Sequence, residues 1–310
     1  MKSDRRQFLT SCAAAGLGMN LPGWLSQAAF AADAAPMSIA RYKESPTEAE
    51  GIKEEAEKLT RAAIDALGGM SRFISKGDVV WVKPNIGWDR SAELAANTNP
   101  DVVATLVKMC YEAGAKQVHI SDNPCNDQKR TFVRSGIQKA AADAGARVYF
   151  LDQRKYKKMA INGKTIKEWE IYTDMVEADK FINVPIVKHH GLCEVTLSMK
   201  NLMGVIGGAR DRYHQDIGNS LPDLAAFIKP DLVVIDAIRV LTRNGPVGGN
   251  PSDVARKDLV AAGTDQVALD AFGATLLGHK PEDIGHIVEA AARGLGTLDF
   301  TSLSPKEITV

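Results

Sequence analysis

The chain has 310 residues, with 38 Lys and Arg balanced by 38 Asp and Glu and a formal net charge of +0 at pH 7. That balance, with no Lys/Arg run and no aromatic-laced basic patch, argues against nucleic acid as a partner. Four cysteines without a Cys-x-x-Cys pair argue against a zinc or iron–sulfur framework, and after the first thirty residues no apolar run approaches the ~20 residues that span a bilayer.

The chain opens with Ser3-Asp4-Arg5-Arg6-Gln7-Phe8-Leu9, then an Ala/Gly/Leu run and Ala29-Phe30-Ala31. Paired arginines before Phe-Leu, a mildly apolar core and a small-x-small end read as a twin-arginine export signal over residues 1–31. Gly16, Gly18, Asn20 and Pro22 make the run a poor helix. Leu9-Thr10-Ser11-Cys12 has the look of a lipoprotein box, but such a box ends the apolar stretch, and here most of that stretch follows Cys12. The twin-arginine route carries folded proteins, so its translocation machinery is an expected partner and the periplasm the expected location. Cleavage after Ala31 leaves a net charge of −2 and three cysteines, Cys110, Cys125 and Cys193.

Residues 32–46 read as an extended arm. From Thr47 to Leu67 the apolar stripe Ile52, Ala56, Leu59, Ala63 predicts a helix stopped by Gly68-Gly69. Val79–Lys83 is a buried strand, and Asn99-Pro100 opens a helix through Ala113 in whose core Cys110 falls. Gln117–Ser121 is a strand containing His119, Ser135–Ala144 a helix and Arg147–Leu151 a strand. Met159–Asn162 and Thr165–Tyr172 flank Gly163-Lys164 as a hairpin. Phe181–Val187 is a strand entering Lys188-His189-His190. Leu221–Ile228 is helical, Asp231–Ile235 a strand ending at Asp236, and Leu259–Ala262 a further strand. Asp265–Leu277 and Ile284–Arg293 are helices, with His279 and His286 expected at the surface. Apolar strands alternating with helices predict an α/β fold: a mainly parallel central sheet flanked by helices, in one domain over 47–310 with a small hairpin-bearing lobe.

In such folds ligands bind beyond the carboxyl ends of the strands. The residues there are polar: Lys83, Asn85, Asp122, Lys188, His189 and Asp236. The densest stretch runs from Asn183 to His214 and holds His189, His190, Lys200, Asn201, Gly204, Gly207, Gly208, Arg210 and His214. Imidazoles move protons or bind metals, lysines hold anions or act as nucleophiles, and glycines permit close approach of a ligand. The expected catalytic residues are His190, Lys200 and His214. Lys83, Asn85, Asp122, Lys188, Asn201, Gly204 and Asp236 are expected to bind ligand, and His189, His190 and His214 are the candidate metal ligands, although no His-x-x-x-His spacing fixes them. Gly245-Pro246-Val247-Gly248-Gly249 is not a P-loop, no Gly-x-Gly-x-x-Gly follows the first strand, and no Gly-x-Ser-x-Gly elbow is present.

Through Val82-Lys83-Pro84-Asn85, Thr98-Asn99-Pro100, Ser121-Asp122 and Asn183-Val184-Pro185 leading to Lys188-His189-His190, the chain resembles the domain-of-unknown-function 362 family. Thr196, Lys200-Asn201, Gly204, His214, Asp236, Gly245-Pro246 with Gly248, and Ala268-Leu269-Asp270 extend the resemblance over roughly residues 79–296. Many members carry an iron–sulfur ferredoxin module, which implies a redox setting and a redox partner; this chain lacks the cysteines to hold such a cluster. The order His190, Lys200, His214 is similar to that in the nickel-pincer lactate racemases, which implies one lysine between two histidines around a metal-containing organic cofactor. The expectation is an exported protein that binds a metal or organic cofactor and a small anionic ligand, an enzyme of redox or racemase/epimerase type. The alternative is a non-catalytic periplasmic binding or cofactor-maturation protein.

Overall fold

The computed structural model describes residues 35–310, so the twin-arginine signal and its cleavage site lie outside the described residues. The segment expected as an arm contains strand β1 (Met37–Arg41), which pairs inside the sheet with Met37 and Ile39 buried on one face and Ser38 and Ala40 on the other. Helix α1 (Ala49–Ala66) buries its predicted stripe. Strand β2 (Val79–Pro84) follows, then α2 (Pro100–Glu112), with Pro100 in the first turn and the Asn99 side chain accepting the Asp101 N–H at 2.9 Å. Next come β3 (Gln117–Ile120), α3 (Gln128–Arg134), α4 (Ile137–Asp143) and the two-residue β4 (Arg147–Val148).

The hairpin comprises β5 (Tyr156–Ala160) and β6 (Glu168–Tyr172), which form a separate antiparallel sheet. Its tip is tied to the body by one carboxylate: Asp223 accepts the N–H groups of Lys164, Thr165 and Ile166, each at 2.7 Å. After the short α5 (Thr173–Val176), the predicted strand 181–187 divides into β7 (Lys180–Val184) and β8 (Ile186–His190). Pro185 has no N–H to give the ladder, so pairing stops and resumes with a new neighbour. Then come β9 (Glu194–Thr196), the single turn α6 (Ser198–Asn201), α7 (Ile217–Phe227), β10 (Leu232–Leu241), β11 (Val254–Gly263), α8 (Gln266–Leu276), α9 (Gly285–Ala292) and β12 (Lys306–Thr309).

The main sheet runs β12-β1-β11-β10-β7-β2-β3-β4, with β8 and β9 branching from β10. From β10 to β4 the pairing is parallel, while β11 runs antiparallel to both β10 and β1. Alternation along the strands sends Val80, Val82 and Val234 to a core shared with α1 and α2. Trp81, Val233 and Ile235 face a second core under α7, α8 and α9. The architecture is therefore a mostly parallel sheet with helices on both faces, as the sequence predicts. The carboxyl ends of β7, β2 and β3 lie side by side, and β8 continues the chain just beyond β7.

Candidate functional site

Lys83, the penultimate residue of β2, and Asp122, just beyond β3, form an ion pair at 2.8 Å with both side chains buried. Lys83 Nζ also donates to Pro84 O (3.0 Å) and Asn201 Oδ1 (3.2 Å), while Asp122 accepts the N–H groups of Ile86 (2.7 Å) and Asn123 (2.9 Å). Burial pulls the Lys83 ammonium below its usual range, and the Asp122 charge opposes that pull. Asn201 is the hub: its amide donates to Asn183 Oδ1 (2.8 Å), and its Oδ1 also accepts Asn85 Nδ2 (2.9 Å). A Cβ on Gly204 would stand 1.7 Å from Asp122 Oδ1. This glycine therefore gives its space to the ion pair rather than to a ligand, which corrects one expectation. Asn85 and Asn201 likewise spend their amides inside this network.

Beside it lies a region of opposite character. Lys188 and His190 occupy the same face of β8, two residues apart. Lys188 is fully buried and donates only to neutral acceptors, Asn85 Oδ1 (3.1 Å) and Ala96 O (2.6 Å). Burial, with little counter-charge, brings its pKa down to about 7. Lys200 stands on α6, whose start is held by Asp270: that carboxylate accepts the N–H of Ser198 (2.6 Å) and of Met199 (3.0 Å) and the Ser198 hydroxyl. Burial lowers the Lys200 pKa too, and among the described residues its Nζ bonds only to Met203 Sδ, at 3.1 Å. Arg210 binds the carbonyls of Asn123 (2.7 Å) and Pro124 (3.1 Å). Among the described residues, none of Lys188, Lys200 and Arg210 has a carboxylate partner within 4 Å, whereas Lys83 has one.

The imidazoles of His190 and His214 stack with centroids 6.0 Å apart and planes 21° from parallel. Burial first, then the Lys200 charge, keeps both neutral, with His190 brought down to about 3. His190 Nδ1 accepts the Leu192 N–H at 3.1 Å, which places the proton of the neutral ring on Nε2. Cys125 is exposed and Cys193 buried, its thiol pushed up to about 11, and Cys110, Cys125 and Cys193 are all free thiols.

Lys83, Asp122, Lys188, His190, Lys200 and His214 thus converge in space. Other predicted site residues do not. β10 runs five residues past Asp236, so this residue lies mid-strand; its fully buried carboxylate accepts the Asn99 (2.7 Å) and Ile238 (3.1 Å) N–H groups and anchors the start of α2. His189 points to the opposite face of β8 from His190, as neighbours in a strand must, and its Nδ1 accepts the Gly245 N–H at 3.1 Å. The expected set His189, His190 and His214 therefore cannot share one metal, and among the described residues no group of three or more His, Cys, Asp or Glu side chains comes close enough to hold one. His286, expected at the surface, is buried, with Nε2 unpaired. His119 is half-buried, stacked on Trp81 and bonded to the Tyr149 hydroxyl at 2.8 Å. Arg210 was readable in the glycine-rich segment but carries no pattern that singles it out. Two surface hollows, of about 460 and 880 Å³, share no residue with the cluster, so charge and imidazole placement define the site.

A doubly covered, mostly parallel sheet with a polar cluster near its strand ends defines an α/β protein with a candidate site where such folds bind ligands. The chain belongs to the family described as Domain of unknown function (DUF362), whose model matches residues 80–275. It is 28% identical over 266 residues to the thylakoid-associated protein sll1697 of Synechocystis, covering 81% of this chain and 80% of that protein. A likeness to the lactate racemase apoprotein of Thermoanaerobacterium thermosaccharolyticum has 11% identity and a TM-score of 0.44; it covers 84% of this chain and 59% of that one. Among the described residues no helix is long and apolar enough to cross a membrane.

Proposed function

We propose that the cluster is a binding site for a small oxyanion, a carboxylate or a phosphate, and that the protein is an exported enzyme acting on it. One observation carries the reading: the buried Lys188 and the part-buried Lys200 have no carboxylate partner among the described residues, while their neighbour Lys83 has one. Desolvated amines without counter-charge hold their protons less firmly, and a bound anion supplies the missing compensation. Lys200 and Arg210 would hold the anion, His190 would donate Nε2–H, and His214 would accept or return a proton at the bound molecule. The residues present do not fit a metal ion held by protein side chains alone, so no step is assigned to one. The redox setting associated with the family's iron–sulfur members would reach this chain through a partner.

Two experiments test the reading. Isothermal titration of the mature chain with sulfate and inorganic phosphate should show one saturable site, and elemental analysis with native mass spectrometry of protein from its own periplasm should identify what it carries. Absence of any oxyanion binding would remove the proposal. Export rests on the Arg5-Arg6 pair: replacing both by Lys should leave unprocessed precursor in the cytoplasm, because the transport receptor reads guanidinium groups. Normal processing of that variant would defeat the twin-arginine assignment.

A further inference from the structure

The hairpin β5–β6 is fastened over the 204–210 segment chiefly at one residue. Gly207 donates its N–H to Glu170 O and accepts Trp169 Nε1–H at its own carbonyl, both at 2.9 Å, and Ile171 bridges Ile206. Gly207 has no side chain because Tyr156 takes the space: a Cβ there would lie 2.6 Å from Tyr156 Cδ1. The Tyr156 ring packs edge-on against Tyr172, with centroids 5.2 Å apart, so its direction is fixed. Its hydroxyl is shut off from solvent and has no hydrogen-bond partner among the described residues. A buried phenol normally finds one, and an unpaired hydroxyl is costly. The charged groups that act on this phenol most strongly are Arg210 and Asp122, both at the cluster.

We propose that Tyr156 completes the oxyanion site, its hydroxyl donating to an oxygen of the ligand held by Arg210 and Lys200. The hairpin lobe then governs which oxyanions the site accepts. A donor suits the position, because a ligand oxygen supplies the acceptor that the protein leaves out. The inference rests on the oxyanion reading above and adds a residue from a separate sheet to it.

Sulfate and inorganic phosphate are titrated into wild type and Tyr156→Phe, which keeps the ring on Gly207 and removes the oxygen. The expected result is affinity at least about tenfold weaker in the variant. The ligand-free melting temperature should be no lower than that of wild type, since an unpaired buried hydroxyl has been taken away. Equal affinity in the two proteins overturns the role of Tyr156 and leaves the oxyanion site standing. A wild type that binds neither anion overturns the site and Tyr156 together. Should Tyr156→Phe not fold, carbon NMR of ring-labelled tyrosine in wild type decides: a phenol resonance that moves on adding sulfate, and does so equally in Tyr172→Phe, supports the proposal, and unmoved resonances overturn it.

Discussion

Lys83, near the end of β2, and Lys188, in the middle of β8, belong to the same sheet and are both fully buried, yet they live under different terms. Lys83 is matched with Asp122, roofed by Gly204 and held by the Asn201 amide, so its charge is compensated from within. Among the described residues Lys188 has only two neutral oxygens as partners, and its neighbour Lys200 only a sulfur. Proteins satisfy buried charges by pairing or pKa shift. Burial pulls all three amines down, but of the three Lys83 alone has a carboxylate partner to oppose the pull. A matched pair serves as a fixed wall, while unmatched amines serve as a receiver for something that arrives charged.

The largest expected effect breaks the matched side. Asp122→Ala should cost about 3–5 kcal/mol in urea unfolding, because it strands the Lys83 ammonium. Adding Lys83→Met should recover part of that loss. Gly204→Ala should act like Asp122→Ala, since the new methyl and the carboxylate cannot share one place. Wild-type stability in either single variant would dissolve the contrast.

The unmatched side gives the next effect. His286 is brought down to about 4 from an ordinary 6.5, chiefly by burial, so the unfolded chain takes its proton first. Its contribution to stability is fully present above about 6.5 and is lost as pH falls toward 4, by at most about 1.4 kcal/mol per pH unit. His286→Leu should flatten that part of the stability–pH curve relative to wild type, and parallel curves would refute the assignment.

Of the fold, the alternation of strands and helices was legible because apolar periodicity reports burial directly. Lys83, Asp122, Lys188 and His190 were legible for the same reason: each polar residue closes an apolar strand. Asp236 misled because β10 continues past it, its charge hidden by two backbone N–H groups. His286 misled because a histidine on a terminal helix reads the same whether it faces water or a core. Gly204 and Gly207 show the deeper limit. A glycine announces close approach, but not whether the visitor is a ligand, a carboxylate or the Tyr156 ring.

Smaller effects sharpen the contrast. Lys200→Ala should weaken sulfate binding about tenfold, roughly 1.4 kcal/mol, with Lys200→Arg falling between. The urea midpoint without ligand should hold or rise, since removing an uncompensated amine removes a desolvation cost. Full binding in both variants would make Lys200 scaffold. Finally, Lys188 gains its proton below about 7, so sulfate affinity should strengthen as pH falls from about 8.5 to about 6. Lys188→Met should flatten that slope, and a slope unchanged by the substitution would assign it elsewhere.

The way Asp223 grips the hairpin tip has a consequence for how such a protein changes over generations. One carboxylate on α7 holds three successive N–H groups of a loop that belongs to a different sheet. The strands between that grip and Gly207 take no part in the main sheet's ladder. Residues 156–172 therefore form a unit whose outward positions can be rewritten by mutation, while the two fastenings and the buried Ile161, Ile166, Ile171 and Tyr172 keep it seated. A designer seeking altered ligand preference would vary those positions and leave the strand ends alone.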